Sequence, residues 1–312
     1  MALETAVEGE IAGDPMTEKR WIRRSLRKLS KALHERGYAI SPMTIRRLLV
    51  EARFSLKANR KALTTRHAER DRQFRYLERV TKRFLAAGYP VVSVDTKKKE
   101  LIGAFKNAGQ TWCHEAELVN MHDFPQDAIG RAVPYGLYDL KHNLGHVYVG
   151  MSADTAEFAM DAIVCWWNDA DRPRFAREDK LLILCDAGGS NSCRSRLWKQ
   201  QLQEKLADRL GIEVMVCHYP TGASRWNPIE HRLFSYISIN WAGKPLHTFD
   251  TMLNYLRGTT TETGLKVKAT LIEQLYQTGI KVSQQDMAHL NLRPRRVCPQ
   301  WNYIISPRAA SP

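Results

Sequence analysis

The chain has 312 residues, 44% of them hydrophobic and 26% charged, with a formal net charge of +14 at pH 7. This composition excludes a fibrous or intrinsically disordered protein, and the lack of an apolar run of about 18 residues argues against a membrane span. The length favours two or three domains, the acidic N-terminus does not resemble a signal peptide, and six scattered cysteines fit a reduced, cytosolic chain.

The positive charge is concentrated near the N-terminus. Residues 17–86 contain 21 of the 47 Lys and Arg but only 6 of the 33 Asp and Glu, so the rest of the chain is nearly neutral. Such a block is typical of a module that binds a polyanion. A solvated helical surface is the structural alternative. Residues 1–16, which carry four acidic residues and no basic one, are predicted to be a flexible lead.

Two short helices are predicted inside the basic block. SLRKLSKALHERG has one apolar face and ends at Gly37, and Ser41 with Pro42 is a typical N-cap and first turn for the helix MTIRRLLVEAR. This order indicates a helix-turn-helix DNA-binding region, which we assign to residues 17–88, although an ordinary helical hairpin has the same spacing. The expected DNA contacts include Ser41, Met43, Thr44 and Arg47 on base edges, with Arg46 among the surrounding cations.

From residue 89 the pattern changes to strands. PVVSVDT reads as a buried strand, KKKELIGAFKN as a turn and its partner strand, and VPYGLYDL and GHVYVGMS as two more. Helices then alternate with the strands LLILCD and IEVMVCHYP, up to the helix NPIEHRLFSYISINW. The order β-β-β-α-β-α-β-α predicts an α/β domain with a mixed sheet covered by helices on both faces, the ribonuclease H-like order. We assign it to residues 89–260 and treat 261–312 as a C-terminal extension.

Three carboxylates occupy the positions that such a sheet brings together. Asp95 ends the first strand, Asp186 ends the fourth, and Glu230 lies in the first turn of the last helix. Clustered like charges raise one another's pKa values and cost stability unless a cation offsets them. Mg²⁺ or Mn²⁺ suits oxygen ligands, and two such ions can hold the attacking and leaving oxygens of a phosphoryl transfer. The pattern therefore predicts a two-metal site.

Each carboxylate also has a local structural alternative. Asp95 is placed to cap the turn before Lys97, and Asp186 to bond the glycine loop that follows it. Glu230 is placed to form a capping box with Asn227. Each alternative explains one residue, whereas the metal site explains all three.

Several long motifs carry a resemblance to a known family: VSVDTKKKELIGAFKN, HDFP, PYGLYDL, DAGGSN, SRLWK and SRWNPIEHRLFSYISINW. From about residue 13 to residue 303, the chain resembles the ISAzo-type (number thirteen group) insertion-sequence DDE transposases. Its NPIE segment is similar to the equivalent helix of mariner transposases. The resemblance implies a ribonuclease H-like core, a catalytic triad of Asp95, Asp186 and Glu230, and Mg²⁺ as the cofactor. It also implies cleavage at element ends followed by strand transfer into target DNA.

We therefore expect a DNA transposase. The alternatives are a nuclease of the same fold and a DNA-binding protein from a truncated, inactive copy, because longer family members resemble this chain only after a further N-terminal segment. The expected partners are duplex DNA, both terminal repeats and target, and further copies of the chain assembled on it. We expect no membrane partner and a bacterial, cytoplasmic location on DNA.

Further residues near the carboxylates have assignments with open alternatives. Lys97, Lys98 and Lys99 are candidates for phosphate contacts or for a soluble turn, and Arg225, where the family usually has Lys, is a candidate phosphate contact. Trp226 is expected either to stack on an unpaired base or to anchor its loop. Asn191 is expected to orient a metal-bound water or to hold a turn. His231 follows Glu230 but is predicted to point about 100° away on the helix.

Overall fold

The computed structural model describes residues 11–13, 20–22, 25–57, 68–223 and 226–309. The chain divides into two compact units, Met1–Thr64 and Thr65–Pro312.

The first unit is built from a strand pair and a helix pair. Strands β1 (Ile11–Gly13) and β2 (Arg20–Ile22) are antiparallel, and helices α1 (Leu26–Glu35) and α2 (Pro42–Glu51) follow. Ser25 and Ser41 cap these helices by accepting hydrogen bonds from the amides of Lys28 and Thr44. Leu29, Leu33 and Ile45 form the core between them. The two predicted helices and the Ser41 cap are confirmed, while most of the predicted lead lies outside the described residues.

The second unit alternates strands and helices. Its first half contains α3 (Arg70–Ala86), β3 (Val91–Thr96), β4 (Glu100–Ile102), β5 (Gly130–Asp139), β6 (Leu144–Gly150), α4 (Ala156–Asn168) and β7 (Lys180–Asp186). The next elements are α5 (Arg196–Gln201), continued by a π-helix (Leu202–Asp208), β8 (Glu213–Tyr219), and a π turn (Glu230–Phe234) that leads into α6 (Ser235–Asn240). The chain ends with α7 (Phe249–Arg257), β9 (Lys266–Ile272), α8 (Gln284–Ala288), β10 (Leu292–Pro294) and β11 (Asn302–Ile305).

Nine strands form one mixed sheet in the order β10-β11-β8-β7-β3-β5-β6-β9, with β4 paired to the outer part of β5. The central strands β3, β7 and β8 run parallel, whereas β5 is antiparallel to both β3 and β6. The predicted mixed α/β architecture is confirmed. As predicted, the first strand of the domain lies beside the strand LLILCD.

Helices cover both faces of this sheet. The helix α4 and the helix that begins with α5 pack on one face, while α3, the π turn with α6, and α7 pack on the other. Because side chains alternate along a strand, Val91, Ser93 and Asp95 of β3 point toward the second face. On β7, Leu182 and Leu184 contact the α3 side, and Asp186 has the same parity. Both aspartates therefore end their strands on the face covered by α3 and the Glu230 turn.

Three details differ from the sequence predictions. KKKELIGAFKN does not supply a partner for the first strand, because β4 pairs with β5 instead. Residues 70–86 belong to the second unit rather than to the N-terminal region, since α3 buries Tyr76, Leu77 and Val80 against the sheet. Residues 261–312 are not an appended extension either, because β9, β10 and β11 join the main sheet.

Within the described ranges, no helix combines the length and the apolar character that crossing a membrane requires. All six cysteines are free thiols.

Candidate active site

Two carboxylates meet where adjacent parallel strands end. Val94 of β3 is paired with Cys185 of β7, so the residues that follow them, Asp95 and Asp186, are neighbours across the strand pair. The strands are mostly apolar and buried, which fixes their register and leaves their acidic side chains at the carboxyl edge of the sheet. Local strand chemistry therefore places both aspartates side by side.

The environment of Asp95 disfavours its charged form. Burial is the main cause and the Asp186 charge the second; together they raise the pKa of Asp95 to about 8. The amide of Thr96 donates a 2.8 Å hydrogen bond to Asp95 Oδ1 and partly opposes this rise. Glu230 and Asp154 add further repulsion. Among the described residues, no cation offsets the charge of this carboxyl group, although a purely structural, buried aspartate needs one.

Asp186 and Glu230 belong to the same electrostatic cluster. Burial and the Glu230 charge raise the pKa of Asp186 to about 6, against a hydrogen bond from Asn227 that lowers it. Burial also raises the pKa of Glu230, while Lys97 and His231 lower it. The three predicted carboxylates thus act on one another electrostatically, as a shared cation site requires.

A buried hydrogen-bond network joins the elements that carry them. Ser93 Oγ, on β3, donates to Asn227 Oδ1 and accepts a 3.2 Å hydrogen bond from the amide of Ile229. Asn227 Nδ2 lies 3.4 Å from the carbonyl oxygen of Val94 and 3.5 Å from Asp186 Oδ1. Ser93 and Asn227 are both fully buried. The side chain of Asn227 therefore ties the start of the Glu230 turn to both aspartate strands instead of capping the turn.

A glycine lets the Glu230 turn approach the sheet closely. Gly136 of β5 is the register partner of Asp95. A Cβ at Gly136 would lie 2.5 Å from Phe234 and 2.9 Å from Ile229, which flank Glu230 in the turn. The absence of a side chain at this position allows the turn to pack directly beside Asp95.

An open cavity of about 450 Å³ exposes the two aspartates to solvent. It is lined by Asp95, Thr96, Lys97, Lys98, Lys99, Asp154, Asp186, Gly188, Gly189 and Ser190. Glu230 lies in a neighbouring cavity of about 320 Å³, where Lys97 and Lys98 form part of the wall as well. The two predicted lysines therefore line both the cavity of the aspartate pair and that of Glu230.

The donor chemistry of the cluster fits a hard divalent cation. Asp95 and Asp186 supply carboxylate oxygens, and the repulsion that raises their pKa values is what a bound cation would remove. Across the described part of the chain, however, no three His, Cys, Asp or Glu side chains are grouped closely enough to hold a metal ion. The aspartate pair fits an ion, and Glu230 stands beside it without completing a three-residue group.

Two residues near the pair escaped the sequence predictions. Asp154 lines the same cavity, accepts a 3.1 Å hydrogen bond from Thr96 Oγ1 and lies 4.0 Å from Lys99 Nζ. Its position just after a strand and before the Thr155 cap resembles an ordinary helix start, so nothing local indicates a site. Ser93 is the one hydroxyl residue within the apolar stretch VVSV of β3. A polar side chain at a buried strand position was the only sequence signal that it has a hydrogen-bond partner.

The other predicted residues have varied surroundings. Lys97 is partly buried with its ammonium 5.0 Å from the Trp241 ring, and burial lowers its pKa. Asn191 is buried and accepts a 2.8 Å hydrogen bond from the Tyr135 hydroxyl, so it braces the loop rather than lining the cavity. His231 is exposed. Arg225 lies outside the described residues.

Trp226 has the contacts of a loop anchor, the structural alternative given for it, and its stacking on a base stays a prediction. Its ring is 5.8 Å from that of Phe74, and the Arg70 guanidinium lies 4.7 Å from its ring centroid. The side chain is nevertheless 44% exposed. It anchors the loop against α3 and still presents an aromatic face to solvent.

The predicted DNA contacts of the first unit lie on α2. Ser41 and Thr44 share a 2.9 Å hydroxyl contact at the start of the helix. Arg46 and Arg47 are exposed, and Arg47 Nε lies 3.9 Å from Glu51. Both guanidinium groups are thus exposed to solvent, and their contact with DNA stays a prediction.

The Ser93–Asn227 network gives a stability prediction. We expect Ser93→Ala to lower the free energy of unfolding by about 1–3 kcal/mol, because it leaves Asn227 Oδ1 and the Ile229 amide buried without their partner. Urea denaturation measures the change. Ser238→Ala is the matched control. The Ser238 hydroxyl also donates a hydrogen bond, to the backbone carbonyl of Phe234, but the side chain is exposed on α6. A Ser93→Ala change no larger than the control's would show that the network does not hold the turn.

The sequence was compared with protein families and curated proteins. Residues 2–307 match a family model described as the Rhodopirellula transposase DDE domain. No curated protein sequence matches the chain.

Solved structures were compared as well. Similar ones include a Mos1 transposase paired-end complex with the left transposon end and a Mos1 strand transfer complex, each 12% identical, covering 82% of this chain and 68% of theirs. A Mos1 mariner paired-end complex with Mn is 13% identical, with coverages of 82% and 69%. All three have a TM-score of 0.41.

Proposed function

Because the chain belongs to the transposase DDE domain family, whose model matches residues 2–307, we propose that it is a metal-dependent DNA transposase. In this proposal it cuts DNA at the ends of its insertion element and joins those ends to target DNA. The observation that carries the proposal is the pair Asp95 and Asp186, two partly buried carboxylates side by side on adjacent parallel strands, with the Glu230 charge acting on both. Such a pair is costly unless it serves a cation.

The proposed catalytic domain is ribonuclease H-like. Its central strands follow the order β6-β5-β3-β7-β8, in which the first three strands along the chain are antiparallel and the next two run parallel to the first. Strand β4 pairs only with the outer end of β5 and leaves this order intact. The carboxyl ends of the parallel strands then form the edge at which the chemistry takes place.

The chain's own residues hold and orient the reactants. Asp95, Asp186 and Glu230 are the proposed ligands of Mg²⁺ or Mn²⁺, two ions in all. When bound, these ions supply Lewis-acid activation of the attacking oxygen and stabilisation of the departing one. Asn227 orients the Asp186 carboxylate through its side-chain amide. Lys97, Lys98 and Lys99 line the cavity that contains the aspartates and are placed to neutralise the DNA phosphates there.

The first unit is the proposed helix-turn-helix module. Helix α2 would contact DNA through Ser41, Thr44, Arg46 and Arg47, and its cap fixes the start of the helix that presents them. We propose that this module binds the terminal repeats of the element and that copies of the chain assemble on DNA. Arg225 and Trp226 would contact DNA at the active site, Arg225 through phosphate and Trp226 through its exposed ring.

A product assay tests the function. The protein is incubated with Mg²⁺, a supercoiled plasmid and duplexes that carry either intact or pre-cleaved element ends, taken from the DNA that flanks this reading frame. We expect joined products that contain both the duplex end and the plasmid, and none in EDTA. Cutting of intact ends without joining would favour a nuclease, and binding without either reaction would favour an inactive DNA-binding protein.

A further inference from the structure

Helix α3 carries a row of exposed arginines on the catalytic unit. Arg75, Arg79 and Arg83 recur every four residues, so they lie on one flank of the helix with successive Cα atoms about 6 Å apart. The opposite flank of α3 is buried against the sheet. Part of the positive charge that the sequence suggests for an N-terminal module is thus presented by the second unit.

The turn after β10 extends this row. Arg295 Nε donates a 3.3 Å hydrogen bond to the Tyr76 hydroxyl, and the Arg79 guanidinium lies 5.4 Å from the centroid of the Tyr76 ring. Arg296 is the next residue and is exposed. Tyr76 therefore joins two basic groups into one surface. We call this surface the arginine ridge and define it as Arg75, Arg79, Arg83, Arg295 and Arg296.

The ridge gathers arginines without counter-charges. None of its five guanidinium groups forms an ion pair with a carboxylate in the described part of the chain. The neighbouring Lys82, on the same helix, is by contrast paired with Glu78. Gathering five unpaired like charges opposes folding, and a surface that keeps them is typical of a polyanion site.

The ridge leads toward the candidate active site. At the first turn of α3, Arg70 and Phe74 contact the Trp226 ring, and the next residue, Asn227, reaches Asp186. Phe74 also lies 6.2 Å from the ring of Tyr219, which ends β8 at the same edge of the sheet as the aspartates. A linear polyanion lying along α3 would therefore arrive at the carboxylates.

We propose that the arginine ridge is a second DNA-binding surface, which holds backbone phosphates of the duplex entering the active site. The role of that duplex as a substrate rests on the proposed transposase function, but the binding does not. Duplex DNA fits better than a protein partner, because stable protein interfaces need an apolar centre. Within the described ranges, α3 contributes no exposed large apolar side chain. Evenly spaced guanidinium groups instead match a regular line of phosphates.

The test compares DNA binding by full-length variants, measured by fluorescence anisotropy with a 30-base-pair duplex and no metal. We expect Arg75→Gln, Arg79→Gln and Arg83→Gln, made together, to reduce the slope of log K against log salt by about 2.7, since each lost phosphate contact removes about 0.9. The matched control is Arg174→Gln with Arg177→Gln, because these arginines are paired with Glu178 and Asp179. Replacing the three ridge arginines by Lys should retain the slope.

Two further comparisons make the result decisive. Arg46→Gln with Arg47→Gln should weaken binding to the element ends more than to unrelated duplexes, whereas the ridge variant should weaken both equally. A ridge variant with the wild-type slope overturns the proposal, as does one that alters only the oligomeric mass. If wild-type protein neither cuts nor joins DNA yet the ridge variant loses slope, the ridge stands and the transposase function fails. If the wild-type protein cuts and joins DNA but the ridge variant keeps the wild-type slope, the transposase function stands and the ridge proposal fails.

Discussion

We expect Asp186→Asn to abolish metal-dependent DNA cleavage without destabilising the metal-free protein. The loss of cleavage should exceed about 100-fold, because mutating even the outer partners of metal ligands costs 10–100-fold. Asn keeps the shape of the side chain and one oxygen, but it removes the charge that draws a cation between β3 and β7. Cleavage of labelled element ends in Mg²⁺ measures the effect. Asp123→Asn, an exposed aspartate of the loop before β5, is the control.

The stability half of this prediction follows from the sign of the pKa shifts. The pKa of Asp95 rises from 3.8 to about 8 on folding, so the folded state binds that proton more tightly than the unfolded state. The stability associated with this proton is fully present below about pH 4 and is lost as the pH rises toward 8. Since one pKa unit corresponds to about 1.4 kcal/mol, the loss amounts to a few kcal/mol. Asp186 contributes a smaller loss between about pH 4 and 6.

Replacing either aspartate by Asn should therefore stabilise the metal-free protein at pH 8 and have little effect at pH 4. Thermal melts in EDTA at pH 4, 6 and 8 measure this. Added Mg²⁺ should raise the Tm of the wild type at pH 8 and leave that of the variants unchanged, because only the intact pair attracts the ion. An Asn variant that still cuts DNA, or that melts earlier than wild type at pH 8, would contradict the assignment.

Local chemistry explains which parts of the fold were predictable. The Ser41-Pro42 helix start and the run LLILCD each carry their signal within a few residues, and both are present in the structure. The sequence KVKATLI of β9 alternates exposed and buried residues up to Leu271, so a strand signal was present there, but its partner β6 lies more than a hundred residues earlier. Partner choice in a sheet depends on such distant contacts. The pairing of β4 with β5 failed to be predicted for the same reason.

The assignment of α3 shows a different limit. Its basic residues extend the N-terminal charge block along the sequence, so a charge count includes them in the DNA-binding region. Its buried positions, such as Tyr76 and Val80, decide instead which unit the helix joins. Charged residues indicate which face of a helix is exposed to solvent. They do not indicate which unit the apolar face packs against.

The site was predictable wherever a strand end determined it. Asp95 and Asp186 follow apolar strands whose adjacency is typical of the predicted order. The Ser93–Asn227 contact was not predictable, because it joins residues 134 apart in sequence through single polar atoms. Asn227 instead suggested a capping box with Glu230, the arrangement that the structure replaces with a bond to the sheet. The positions of the two aspartates could be predicted from the sequence. The hydrogen bonds of Asn227 that join their strands to the Glu230 turn are visible only in the tertiary structure.

We expect Glu230→Gln to reduce cleavage by more than about 100-fold and to leave the Tm of the metal-free protein unchanged or slightly higher. A capping residue would behave differently, because Gln serves equally well in a capping box. Here Ser93 Oγ accepts the Ile229 amide, and the Asn227 side chain faces the sheet, so no capping box exists for Gln to preserve. Burial raises the pKa of Glu230, and removing its charge therefore costs the fold nothing.

Glu204→Gln is a matched control, since Glu204 also lies in a π-helical segment but is exposed and accepts a hydrogen bond from the Gln200 side chain. Glu230→Asp tests whether the carboxylate at this position must extend as far as that of Glu to reach the metal site. Glu230 lines a cavity next to the one that holds the aspartates, so an acid one methylene shorter should also lose cleavage although its charge is intact. Wild-type cleavage by Glu230→Gln would limit the metal site to the two aspartates. If Glu230→Gln loses cleavage but Glu230→Asp does not, a negative charge near the aspartate pair is enough. If both variants lose cleavage, the carboxylate itself must reach the ion.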